Sequence, residues 1–201
     1  MMRTIKWIRN LILGMAIVFG VQSAAYAVQA VATVGTNTPA PNVFYAGGLN
    51  GNLNIVTNNA FLRSKFGFGF NPNVTIQFSP MIGVPGSYIF NGDGVWHLWL
   101  RDPNNGLTGF QVTDNATGNV LLRGRFRNAI LHGRTGSSSL AITLPQDNVT
   151  YDAQSAAIPD GAGLMNGSLS IAILSQVPVF ADPMAGPAAF NANGDTNFGI
   201  D

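Results

Sequence analysis

Short apolar or alternating segments, separated by turn residues, are the feature that most restricts how this chain folds. Runs such as Asn91–Gly94 and Pro103–Gly106 are typical turns between them. No segment after residue 27 keeps an apolar period of 3.6 residues, so we expect at most one short helix, near Asn58–Ser64. The predicted strands are Asn52–Thr57, Val74–Ser79, Tyr88–Phe90, Val95–Arg101, Thr108–Asp114, Asn119–Arg127, Asn128–Gly133, Ser139–Leu144 and Gly167–Ser175.

This spacing of short strands predicts an all-β fold, a single-domain β-sandwich of the jelly-roll type, with a β-barrel as the alternative. The composition agrees, since all nine acidic residues are Asp and the chain holds 24 Gly and 11 Pro. Asp, Gly and Pro favour turns, whereas the absent Glu favours helices. The clearest expected hairpin joins Thr108–Asp114 to Asn119–Arg127 across the turn 115–118.

Residues 1–27 have the three parts of a cleavable secretory signal peptide. Arg3, Lys6 and Arg9 precede an uncharged run from Leu11 to Val21, and a small-residue cleavage site ends at Ala27. The alternative is an uncleaved anchor, but the run is shorter than the roughly 20 residues of a bilayer span. We therefore expect export to the periplasm, the cell surface or the medium, and no stable membrane span in the mature chain.

The rest of the chain divides into residues 28–46, expected to be a spacer or an edge strand, and one β-sandwich domain, residues 47–201. Without residues 1–27, seven basic residues face nine acidic ones, so the net charge is 7 − 9 = −2. This balance does not point to nucleic acid as a partner. The chain has no cysteine, which excludes disulfides and thiolate metal sites and is typical of exported bacterial proteins rather than small disulfide-rich domains.

Three arginines at alternate positions form the first candidate ligand site. At strand spacing Arg123, Arg125 and Arg127 project to one face, opposite Val120, Leu122 and Phe126. Such a row could bind a sulfated or uronic-acid polysaccharide, the phosphates of lipopolysaccharide or another envelope component, or extracellular DNA. The plainer and more common alternative is a solvated sheet face that discourages edge pairing.

The segment Val95–Arg101 supplies the second candidate site. Its alternation predicts a buried face that carries Trp96, and an outer face with His97, Trp99 and Arg101. An exposed indole beside a histidine and an arginine is a surface on which sugars stack. The alternative is a structural role, with the indole half-buried.

No arrangement of residues predicts catalysis, a cofactor or a metal. The chain has two histidines, and a serine cluster at Ser137–Ser139, but no Gly-x-Ser-x-Gly motif. Zinc spacing is absent. Oxygen-bearing side chains alternate at Asn91–Asp93 and at Asn191–Asn197, as at the start of a calcium loop, but Thr196 replaces the turn glycine of such a loop. Ordinary turns are the favoured interpretation at both places.

Parts of the chain resemble exported bacterial proteins of the PEP-CTERM type. The similarity lies in Val120–Phe126 with Ala129, in Gly167–Ile171 and in Phe190–Phe198. The resemblance implies sheet strands and a link to the envelope or to exopolysaccharide. The chain departs from the family in lacking the C-terminal sorting tail, because Asp201 is not preceded by Pro-Glu-Pro or an apolar helix.

Together these features predict an exported, non-enzymatic bacterial envelope or extracellular matrix protein that contacts polysaccharide. The expected contacts are His97, Trp99 and Arg101, and Arg123, Arg125 and Arg127. Two alternatives stay open, an outer-membrane β-barrel protein and a small secreted hydrolase.

Overall fold

The computed structural model describes residues 29–36, 41–64, 72–144, 149–152, 167–175 and 178–200. The signal peptide predicted at residues 1–27 lies outside them. The described residues contain no α-helix, only strands and one 3-10 turn, Pro85–Ser87. The strands are β1 (Gln29–Thr36), β2 (Val43–Tyr45), β3 (Asn52–Ser64), β4 (Asn73–Phe78), β5 (Met81–Gly83), β6 (Ile89–Phe90), β7 (Val95–Arg101), β8 (Thr108–Asp114), β9 (Val120–Phe126), β10 (Asn128–Arg134), β11 (Ser139–Thr143), β12 (Thr150–Tyr151), β13 (Gly167–Ser175), β14 (Ala181–Asp182), β15 (Gly186–Pro187) and β16 (Phe190–Ile200).

All strands except the β14–β15 pair belong to one large sheet with antiparallel neighbours. Its order is β1-β16-β13-β11-β10-β7-β5-β3-β4-β8-β9-β12. Both β1 and β2 pair with β16 on one side and with β3 on the other. The end of the sheet that begins with β1 is therefore also hydrogen-bonded to β3. Residues 28–46, expected to be a spacer or an edge strand, instead contribute two strands that each have neighbours on both sides.

The sheet folds over one hydrophobic core, which gives the sandwich-like arrangement that the sequence predicts. Trp96, Leu98 and Leu100 of β7 are fully buried, as expected from their alternation. Strands β8 and β16 do not pair with each other, yet the rings of Phe110 and Phe198 stack with centroids 5.2 Å apart. The segment β4-β8-β9-β12 is therefore packed face to face against the strands around β16.

A buried asparagine, Asn42, joins β16 to β3 between the positions where β1 and β2 pair with these two strands. The Asn42 side chain accepts the amide of Gly194 at 2.8 Å and donates to the Gly194 carbonyl at 3.0 Å. It also donates to the Thr57 hydroxyl at 2.7 Å. These bonds satisfy backbone groups of β16 between the part that pairs with β2 and the part that pairs with β1.

The strand predictions are largely confirmed. Val95–Arg101, Thr108–Asp114 and Gly167–Ser175 have the predicted bounds. The helix expected near Asn58–Ser64 is wrong, because β3 runs through it. A bulge explains the error: the register shifts between Thr57 and Ala60, and Asn59 has a φ of 55°. The extra residue changes the phase of the alternation, which disguised a continuous strand.

The turn predicted at Asn191–Asn197 is also wrong, since these residues lie within β16. Ala192, Gly194 and Thr196 are buried there, so the side chains between them project to the opposite face. A strand cannot wrap alternate oxygen ligands around one ion as a calcium loop does. Asparagine is disfavoured in strands, and tertiary pairing with β13 overrides that preference.

The hairpin predicted between β8 and β9 is confirmed, and Asp114 organises its turn. The Asp114 amide donates to the Asn119 carbonyl at 2.9 Å, and its own carbonyl accepts the Gly118 amide at 2.8 Å. The side chain accepts the Ala116 amide at 2.9 Å and the Thr117 hydroxyl at 2.8 Å. These donors, the Ala116 amide first, lower the pKa of Asp114 below its ordinary value.

Asp114→Asn should make the stability of the protein less sensitive to acid. Because the pKa is lower in the folded than in the unfolded state, the ionised carboxylate stabilises the fold above its unfolded pKa. That contribution disappears as the pH falls through the folded pKa. Urea midpoints measured from about pH 6 to pH 2.5 should therefore show a wild-type advantage that shrinks with acid. An advantage that is constant over this range would contradict the assignment.

Candidate functional site: an arginine-lined groove

A polar row crosses the outer face of three neighbouring strands. The register places Gln77 of β4 opposite Gln111 of β8, and Gln111 opposite Arg123 of β9. Each points outward because its strand neighbours, such as Phe110 and Leu122, are buried in the core. Two amides and a guanidinium are thereby aligned across the sheet.

Hydrogen bonds orient this row. The Arg123 guanidinium donates to the Gln111 Oε1 atom at 3.0 Å, and the Gln111 Nε2 atom donates to the Thr113 hydroxyl at 2.9 Å. Arg123 also forms an ion pair with Asp152 at 3.7 Å, in which both side chains are substantially exposed. The orientation of the Gln111 amide is therefore set from both sides, while Arg123 stays accessible to solvent.

A second row, formed by Ser79, Gly109 and Arg125, places a glycine between two polar residues. Gly109 of β8 lies opposite Arg125 of β9, and its carbonyl accepts the amide of Ser79 at 2.8 Å. Because Gly109 has no side chain, the surface is open to the backbone at this point. The two rows line an open groove of about 610 Å³, together with Pro80 and Leu107 at its margin.

The predicted arginine row is only partly brought together. Arg123 and Arg125 both line the groove, and both are exposed. Arg127 is exposed as well, but it follows the end of β9 and does not line the groove. Among the described residues no carboxylate forms an ion pair with Arg125. Within the part of the chain that the structure describes, the groove therefore has one arginine held by Asp152 and one, Arg125, that forms no ion pair.

The second predicted group lies elsewhere, on β7. His97, Trp99 and Arg101 are all partly buried, on the face opposite Trp96 as predicted. The Trp99 amide donates to the Ser87 hydroxyl at 3.0 Å, and the Arg101 guanidinium donates to Asn105 at 3.4 Å. None of the three lines the groove. Trp99 is half-buried rather than a fully exposed stacking surface.

His97 faces the other histidine of the chain. The register pairs His97 of β7 directly with His132 of β10, and the ring centroids are 5.9 Å apart at an interplanar angle of 33°. Burial, and secondly the neighbouring His97, lower the pKa of His132. The sequence did not indicate this proximity, because the pairing of β7 with β10 could not be read from spacing.

The serine cluster considered for a hydrolase forms a local turn. The Ser137 hydroxyl accepts the Ser139 amide at 3.0 Å. Within the described residues, no group of three His, Asp, Glu or Cys side chains is close enough together to hold a metal ion. In the same part of the chain, no helix has the length and apolar character needed to cross a bilayer.

Sequence reasoning found Arg123 and Arg125 but missed the residues that complete the groove. Gln77, Ser79, Gln111 and Gly109 lie in or beside predicted strands, and each has unremarkable neighbours in the sequence. Only the order β4-β8-β9 brings them next to the arginines. Their outward positions in the strands could have been predicted, but not their common surface.

Comparisons of the chain with protein-family models, with curated proteins and with solved structures found no match.

Proposed function

We propose that this chain is an exported, non-enzymatic bacterial envelope or matrix protein that binds an acidic polysaccharide in the groove between β4, β8 and β9. The observation that carries the proposal is the alignment of Arg123 and Arg125 with the amides of Gln77 and Gln111 around the open position at Gly109. The signal-peptide features of residues 1–27 and the resemblance to PEP-CTERM proteins support the location.

The chemistry of the groove suits a polymer of acidic sugars. A guanidinium binds a carboxylate or a sulfate through two parallel hydrogen bonds. Glutamine amides both donate and accept, as alternating sugar hydroxyls require. The glycine lets a flat ring approach the backbone. Because the groove is open along the sheet, an extended chain can pass through it without an end having to enter.

Asp152 modulates the affinity of the groove for acidic ligands. Its carboxylate lies 3.7 Å from the Arg123 guanidinium and would compete with a carboxylate of the ligand. An exposed ion pair is worth only about 0–1 kcal/mol, so a bidentate ligand can displace it. A neutral polymer gains nothing from that exchange. The preference for acidic over neutral polysaccharides therefore comes from the arginines, and Asp152 reduces it.

Arg125→Gln should weaken binding of polygalacturonate about fivefold, because one exposed charge-assisted contact is worth about 1 kcal/mol. Isothermal titration calorimetry at constant ionic strength measures the effect. Arg127→Gln is the matched control, since it removes the same charge from the neighbouring exposed arginine outside the groove. Its affinity should stay within about twofold of wild type.

Asp152→Asn should change the affinity for polygalacturonate in the opposite direction. It removes the competing carboxylate and should tighten binding of polygalacturonate. Uncharged dextran serves as the neutral reference ligand in the same titrations. Equal weakening by Arg125→Gln and Arg127→Gln would mean that net charge alone attracts the polymer. That result, or no binding of polygalacturonate and dextran sulfate by the wild-type protein, would overturn the proposal.

A further inference from the structure

The only two histidines of the chain are direct neighbours across two antiparallel strands. His97 and His132 lie on different strands, and the register of β7 with β10 sets them opposite each other on the outer face. Both side chains are partly buried, so the sheet and their neighbours restrict their rotation. Two imidazoles held side by side are a preformed pair of nitrogen ligands.

The spacing of the rings is close to that of a chelate. Two imidazoles that bind one ion through nitrogens about 2.0 Å from the metal have centroids roughly 4.5–5.5 Å apart. The observed separation is 5.9 Å. Rotation about the side-chain torsions of His97 and His132 within their partly buried positions can close this difference.

The residues that flank the histidine pair across the sheet are apolar: Ile89 of β6 lies opposite His97, and small side chains lie beyond His132. On the far side of His132 the same row continues with Ala141 of β11 and Ala172 of β13, two small side chains. On β7 and β10 the charged positions of this face are Arg134, in the adjacent row, and Arg101, two rows away, and the histidine row itself continues beyond Ala172 to Asp195 of β16. Arg134 is exposed and can turn away from a bound cation.

We propose that His97 and His132 form a two-histidine site for a divalent transition-metal ion, with water completing the coordination. Neutral imidazole selects Cu²⁺, Ni²⁺ and Zn²⁺ over Ca²⁺ and Mg²⁺, which prefer oxygen ligands. Among these ions Cu²⁺ should bind most tightly. The site is separate from the groove and does not depend on the proposed polysaccharide binding.

Cu²⁺ titration of the purified protein tests the proposal, with calorimetry for affinity and electron paramagnetic resonance for the ligands. We expect one Cu²⁺ per chain with two coordinated nitrogens. His97→Asn and His132→Gln should each weaken binding at least about tenfold, because the second ligand no longer acts within the same molecule. Ca²⁺ should not compete.

The double variant His97→Asn/His132→Gln provides the baseline for copper bound elsewhere, including at the amino terminus. Urea midpoints of all variants check that the fold is kept. A second readout is stability, since saturating Cu²⁺ should raise the unfolding midpoint of the wild type only. Wild-type affinity that is unchanged in the folded double variant, or a copper signal with a single nitrogen ligand, would overturn the site.

Discussion

Replacing Phe110 by alanine should lower the free energy of unfolding by about 3–5 kcal/mol, the usual cost of removing a buried phenylalanine ring. Phe110 is 2% exposed, on the strand that carries the middle of the groove. Its ring stacks on Phe198 of β16 and lies 5.6 Å from Phe78 and 6.1 Å from Tyr151, centroid to centroid.

The large expected loss of stability follows from the strands that the Phe110 ring connects. Tyr151 of β12 is fully buried and donates its hydroxyl to the Gly199 carbonyl at 3.0 Å, so the same aromatic group connects β12 and β8 to β16. Burial raises the pKa of Tyr151, so the hydroxyl stays protonated as a donor. Loss of Phe110 removes contacts from both layers and leaves a cavity between them.

Urea unfolding followed by the fluorescence of Trp96 and Trp99 measures this cost. Leu107→Ala is the control, because Leu107 is 48% exposed at the margin of the same groove and should change stability by less than about 0.5 kcal/mol. A loss below about 1 kcal/mol for Phe110→Ala would mean that the packing of β8 on β16 contributes little.

The fold could be predicted from the sequence where alternation was uninterrupted. In β7 and β8 apolar and polar residues alternate without a break, and both strands have the predicted bounds. In β3 the bulge at Asn59 reverses the phase of the alternation between buried and exposed residues, so the two-residue period is interrupted. In β16 the inward positions include Ala192 and Gly194, which are too small to give an apolar signal.

The candidate sites show a different limit of what the sequence can predict. Alternation predicts which face a side chain takes, and it correctly set His97 apart from the buried Trp96. It does not predict which strands become neighbours when they are far apart in the chain. The groove needs the order β4-β8-β9, and the histidine pair needs β7 beside β10 in one register. Local sequence contains neither.

Gly109→Val should abolish most of the polysaccharide binding while leaving the protein at least as stable. Gly109 has an ordinary backbone conformation, so valine is not strained there, and β-branched residues favour strands. A Cβ atom at this position would meet the Ser79 hydroxyl at 3.4 Å, a close contact with a side chain that can rotate. The added methyl groups would fill the open floor between Ser79 and Arg125.

We expect polygalacturonate affinity to fall at least about tenfold, a larger loss than Arg125→Gln causes, because a steric block affects every sugar that enters the groove. Gly86→Val is the matched control: Gly86 is exposed, meets nothing within 4 Å and lies outside the groove. Calorimetry and urea midpoints together separate the two effects. Since both charges of the groove remain in Gly109→Val, unchanged affinity would show that the polymer binds by diffuse attraction to arginine and not in the groove.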